Sequence, residues 1–98
     1  MPLPVVAVIT AKSGSEDVVR AALTELVGPT REEAGCLSYS LYQSSDDATV
    51  FVTVESWRAP DDLQQHMQSA HIAKTFATAG DALAAPPVIH SLIALDES

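Results

Sequence analysis

"CLSYSLYQSSDDATVFVTVESW", residues 36–57, decides the fold. Cys36 to Ser45 alternates apolar and polar side chains, and Ala48 to Trp57 is rich in β-branched residues. Asp46 and Asp47 separate them as turn formers, so the stretch predicts a hairpin of two antiparallel strands.

Toward the N-terminus, "VVAVITA" (Val5 to Ala11) has the length and composition of another strand. Ser13 and Glu16 have the spacing of a helix-opening capping box. Val18, Val19, Ala22, Leu23, Leu26 and Val27 then recur at helical intervals, with Asp17, Arg20, Thr24 and Glu25 mostly opposite. Pro29 is expected to kink this helix or end its first part, and Gly35 to stop what remains. Toward the C-terminus, Pro60, Asp61 and Asp62 suit a helix start, where a proline is tolerated and acidic groups meet the positive end. Ser69 or Ala70 should interrupt that helix, with Ser69 capping a segment from about His71 to Ala82. "APP" (Ala85 to Pro87) ends it, and Val88 to Asp96 reads as the last strand.

The order β-α-β-β-α-β is the ferredoxin-like arrangement, an α+β domain spanning residues 1–98 with both helical regions on one face of a four-stranded antiparallel sheet. In the third strand Val50, Val52 and Val54 face opposite to Phe51 and Trp57. In the fourth, Val88, Leu92 and Ala94 oppose Ile89, Ile93 and Leu95. Both faces are apolar, yet the helices cover one, so a homodimer through the open sheet face is expected. His90 falls on that face with Val88 and Leu92.

Composition agrees. Of 98 residues, 47% are hydrophobic and 18% charged, more apolar surface than a small monomer easily hides. Thirteen acidic residues against five basic ones give a net charge of −8 with no basic cluster, which argues against nucleic acid or an anionic membrane as partner. The single cysteine, Cys36, allows no intrachain disulfide, and the N-terminal "MPLPVVAVITAKSG" has neither a basic segment nor a long apolar run. A reduced, cytoplasmic protein is expected.

Four motifs run through Glu33 to Phe76, "EAGCLSYSLYQSSDDATVFVTVESWRAPDDLQQHMQSAHIAKTF": Gly-Cys-Leu-x-Tyr, Glu-x-Trp, Leu-x-x-His and Ser-x-His. In these the chain resembles the antibiotic biosynthesis monooxygenase family of small dimeric α+β-barrel proteins. Members include quinol and polyketide oxidases that use dioxygen without metal or flavin, haem-degrading enzymes and an enzyme acting on a signalling sugar. Haem-degrading relatives carry Trp at the position of His66 and an axial His at that of Thr75, and neither is matched. Polyketide oxidases carry Asn where this chain has Thr53 and Tyr where it has Leu63. Retention of both histidines resembles the quinol-type branch.

That resemblance implies a cofactor-free monooxygenase acting with dioxygen on a quinol or polyphenolic ring. His66 is the expected proton acceptor and His71, at a helix start, its assistant. Thr53 and Tyr39 would orient hydroxyls, and Trp57, Leu63 and Phe76 would supply apolar walls. Tyr39 shares strand parity with Leu37 and Leu41, which places it on the helix side; Tyr42 falls opposite. Structural roles compete: Trp57 and Phe76 as core, Glu55 as partner to a backbone or basic group, Cys36 as packing. On one continuous helix His66 and His71 would lie ~140° apart, so no zinc pair or metal site is expected, and the resemblance implies no cofactor. A non-enzymatic binding module on the same fold, and an isomerase or lyase acting on a small carbonyl compound, are the alternatives.

Overall fold

Alternation at the sequence level becomes a sheet with one dressed and one bare face. The computed structural model describes residues 2–96, in the order β1 (Leu3–Thr10), α1 (Glu16–Arg31), β2 (Cys36–Gln43), β3 (Val50–Trp57), α2 (Pro60–Met67), α3 (Ala70–Ala79), a short 3-10 turn (Gly80–Ala82) and β4 (Val88–Ser91). The strands lie in the order β2-β3-β1-β4, all antiparallel, which is the ferredoxin-like topology. The thinnest dimension is 19 Å, as two layers require.

Odd-numbered residues of β1 and β3 point to the helices. Val5, Ala7, Ile9, Phe51 and Trp57 are buried, and Ile9, Phe51 and Ala7 pack with Val19, Leu23, Leu26 and Ile72. Each such side chain contributes roughly 1.5–3 kcal/mol by leaving water. Even-numbered partners, Val6 with Val54 and Val8 with Val52, share the other face, which no element among the described residues covers. Val54 there is 46% exposed, and Tyr42, opposite Val52, 58%.

Several boundaries differ from the sequence reading. Pro29 does not end α1, which continues to Arg31. The proline lies so near the end that little helix remains to disrupt, while fully buried Thr30 and the Arg31 Nε bond to the Tyr39 carbonyl (2.9 Å) hold the last turn. Bonds spanning three residues, from Glu32 N to Pro29 O (3.3 Å) and Glu33 N to Thr30 O (3.1 Å), close it. The capping box does not form: Gly14, at φ 91°, turns the chain so that Ser15, not Ser13, stands at the helix start, without a side-chain cap.

Gly35 does not terminate the helix. It lies beyond the end of α1, and among the described residues Gly14 alone has positive φ. Gly35 instead gives room to Asp62: a Cβ there would overlap the Asp62 side chain. Its carbonyl also accepts from Arg58 N at 2.8 Å. In β2 an irregularity between Cys36 and Ser38 breaks the strict alternation, so Leu37 is exposed while Tyr39 is buried.

β4 spans Val88–Ser91 and not Val88–Asp96. Its last β1 partner is Val5, and Leu92 N still donates to Pro4 O, but Pro4 has no N–H to return. Ile93 and Leu95 beyond it are almost fully exposed. Among the described residues no helix is long and apolar enough to cross a membrane.

Candidate active site

The interruption after Met67 creates the site. Ser69 caps α3: its hydroxyl donates to the His66 carbonyl (2.6 Å) and accepts from Ile72 N (3.3 Å). The chain turns between the helices, so the rotation of a continuous helix no longer separates His66, in the last turn of α2, from His71, in the first turn of α3. Their ring centroids are 6.0 Å apart.

Glu33, in the turn after α1, ties them together. Its Oε2 lies 2.6 Å from His66 Nδ1 and 2.7 Å from His71 Nε2. A carboxylate oxygen only accepts, so both bonds require the facing imidazole nitrogens to donate. His66 then keeps Nε2 as its free nitrogen. The His66 side chain is 3% exposed, that of Glu33 16% and that of His71 24%, so the trio reaches solvent from the His71 end.

A second carboxylate sits deeper. Glu55, on β3, accepts from Trp57 Nε1 through Oε1 (2.8 Å) and from Thr53 Oγ1 through Oε2 (2.6 Å). All three alternate onto the helix-side face of the strand, and all are buried. The expected backbone or basic partner for Glu55 is thus replaced by two neutral donors from its own strand. The Trp57 ring lies 4.7 Å from that of His66, tilted by 37°, and Tyr39 lies 5.8 Å from it. Burial, then the negative charge of Glu55, holds the Tyr39 phenol far above its ordinary pKa, with Thr53 partly opposing. Tyr39 is therefore a neutral hydroxyl here. The Cys36 thiol is also raised, by burial and then by Glu33 and Glu55, which fits a packing role and not a nucleophile.

His66, Tyr39, Thr53 and Glu55 line a cavity between sheet and helices, together with Phe76 and the aliphatic groups of Leu23, Leu26 and Ile72. Its mouth is framed by Met67 and Ile89, both exposed, and by Pro87. The cavity measures about 30 Å³, room for about one water. Of the residues anticipated as site groups, Tyr39, Thr53, His66 and Phe76 meet there. His71 joins through Glu33 and lines a separate outer groove. Trp57, 0% exposed, and Leu63 pack together with Val5 and Tyr39, behind His66. Glu33 was missed among the site residues, although the motif-bearing stretch begins with it.

The profile of the antibiotic biosynthesis monooxygenase family matches residues 2–78. The Mycobacterium tuberculosis protein Rv0793, named as a candidate monooxygenase, is 34% identical over 97 residues, 99% of this chain and 95% of that protein. Its solved structure superposes with a TM-score of 0.88 over 100% of this chain and 99% of its own. PA3566 from Pseudomonas aeruginosa gives a TM-score of 0.87 at 36% identity, covering 97% of this chain and 95% of that one. A Nitrosomonas europaea protein at 22% identity shares the fold with a TM-score of 0.89, over 96% and 90% of the two chains. The chain belongs to the antibiotic biosynthesis monooxygenase family.

Proposed function

We propose that this protein is a cofactor-independent monooxygenase that oxidises a quinol or polyphenolic ring with dioxygen, and that His66 is its base. The observation that carries the reading is the Glu33–His66 hydrogen bond beside the cavity. Glu33 fixes the tautomer and orientation of the imidazole, leaving Nε2 for a phenolic proton, and the carboxylate stabilises the imidazolium that results. The phenolate then supplies the electrons. One oxygen atom of O₂ enters the ring as a new hydroxyl or carbonyl and the other leaves as water, as when a hydroquinone becomes a hydroxyquinone. No external reductant is needed. Tyr39 and Thr53 bind ring hydroxyls, and Phe76 contributes an apolar wall; Trp57 and Leu63 support the ring of His66 and the phenol from behind.

Ligand pockets usually measure roughly 300–1,000 Å³, so the mouth at Met67, Pro87 and Ile89 must open for a ring to enter. The small cavity also favours a second reading, a non-enzymatic module that keeps the fold. We further infer a homodimer through the valine-rich open face; sedimentation at micromolar concentration should give twice the chain mass.

Oxygen uptake by chelator-treated protein across a panel of hydroquinones and anthrones separates the readings. An active protein should lose roughly 10²–10⁴-fold in kcat in His66→Asn, which can still donate toward Glu33 but has no Nε2. No uptake with any substrate would leave the binding module, and full activity in the variant would move the base elsewhere.

A further inference from the structure

The trio at the His71 end has donor chemistry that proton transfer does not exhaust. Glu33, His66 and His71 come from three separate elements, yet their ligand-type atoms all lie within 4.8 Å of one another. Two imidazoles and one carboxylate form a set that first-row transition ions accept, with further coordination positions left for water. We propose that these three side chains form a binding site for one divalent transition-metal ion of the zinc class.

The required rearrangement is small. Tetrahedral bonds of about 2.0–2.1 Å set neighbouring ligand atoms about 3.3 Å apart. The two N···O separations of 2.6 and 2.7 Å must each widen by well under an ångström, and the two imidazole nitrogens, within 4.8 Å of each other, must close by up to about 1.5 Å through side-chain rotation. Each imidazole presents the nitrogen that now faces Glu33 and carries its proton on the other one. No ligand has to cross the fold, and Glu33 and His71 are partly exposed.

The His71 ligand is also reached from outside. His71 lines a groove of about 80 Å³ with Glu25, Pro29, Lys74, Thr75 and Thr78, on the outer side of α1 and α3. Lys74 opposes a cation there and Glu25 favours one, while the net charge of −8 draws cations to the whole molecule. The ion and the hydrogen-bonded trio are alternative states of the same three side chains. Metal loading is thus a property separate from the oxygenase chemistry, read without any turnover.

Chelator-treated full-length protein titrated with Co²⁺ should develop visible ligand-field absorption that saturates at one ion per chain, and Zn²⁺ should bleach it. Glu33→Gln and His71→Ala, each checked for folding by circular dichroism, should each weaken Co²⁺ binding by more than about a hundredfold, beyond the usual 10–100-fold loss from an outer-sphere change. His90→Ala, on the opposite face, should leave the titration unchanged. Absence of a saturable one-to-one complex would overturn the proposal, as would binding that survives both Glu33→Gln and His71→Ala. Loss of the spectrum in His90→Ala would likewise place the ion elsewhere.

Discussion

Glu33 and Glu55 each accept two side-chain hydrogen bonds, and His66 touches both arrangements, one by its Nδ1 and the other across the Trp57 ring. They differ in where the donors come from. The partners of Glu55 are two residues away on either side, placed by the alternation of one strand. Those of Glu33 are 33 and 38 residues away, on two helices. The donors of Glu55 are a hydroxyl and an indole, which hold their protons; those of Glu33 are imidazoles, which exchange them. One carboxylate therefore belongs to the core, and under the proposed function the other serves the chemistry.

The largest consequence should follow from emptying the inner arrangement. Glu55→Ala leaves the Trp57 indole N–H and the Thr53 hydroxyl buried without a partner, at about 1–3 kcal/mol each. The melting temperature, followed by circular dichroism, should fall by roughly 10–25 °C for a domain of this size. Glu33→Gln should move it by only a few degrees, because the amide oxygen can still accept from the imidazoles and His71 is partly exposed. Its effect should appear in kcat for quinol oxidation, reduced roughly 10–100-fold with KM little changed, as expected when a base loses its orienting partner. If Glu33→Gln proved the more damaging to melting, the division between core and chemistry would fail.

The same contrast explains what the sequence disclosed. Strand alternation placed Tyr39, Phe51 and Trp57, and with the last two their strand neighbours Thr53 and Glu55 fall on the same face, while Pro60 and Ser69 located α2, α3 and the break between them. Local rules act over a few residues and are legible. Glu33 could not be found that way: its site exists only once α1 packs over β2 and brings the following turn beside His66 and His71. The early end of β4 escaped for a related reason, since the limit lies in Pro4 of a different strand. Pro29 misled because it stands two residues from the end of α1, where little helix remains to disrupt and the Arg31–Tyr39 bond holds the last turn.

Gly35 offers a finer cut between the two arrangements. It is two residues from Glu33 and in contact with the side chain of Asp62, on the helix that bears His66. Gly35→Ala must push Asp62 away and strain its bidentate pair with Arg58, at 2.8 and 3.2 Å. Because the overlap reaches the Asp62 Cβ and so the backbone of α2, the expected loss is at the upper end of the roughly 1–3 kcal/mol usual for overpacking, read from the urea midpoint. Chemical shifts of the two histidines should move with it, while the Trp57 indole N–H resonance stays in place. Movement of the indole alone would show that the close approach serves the core and not the Glu33 turn.

The smallest effect concerns Tyr39, which reports the charge of Glu55. Its folded-state pKa is raised by burial and then by Glu55, so the phenol stays protonated where an unfolded chain has begun to ionise, above about pH 10. The sign follows: this stability is fully present below about pH 10 and is lost as pH rises through the folded pKa. In a Tyr42→Phe background Tyr39 is the one tyrosine remaining, and its ultraviolet absorption can be titrated alone. The phenolate band should be absent at pH 10 and should emerge only at higher pH, with circular dichroism showing the protein still folded. Glu55→Gln removes the charge and keeps an acceptor, so ionisation should begin at lower pH although burial is unchanged. An onset that did not move would mean that burial alone sets the phenol. Glu55 would then act on Tyr39 only through the Thr53 hydroxyl, and the inner carboxylate would be a scaffold with no electrostatic reach into the cavity.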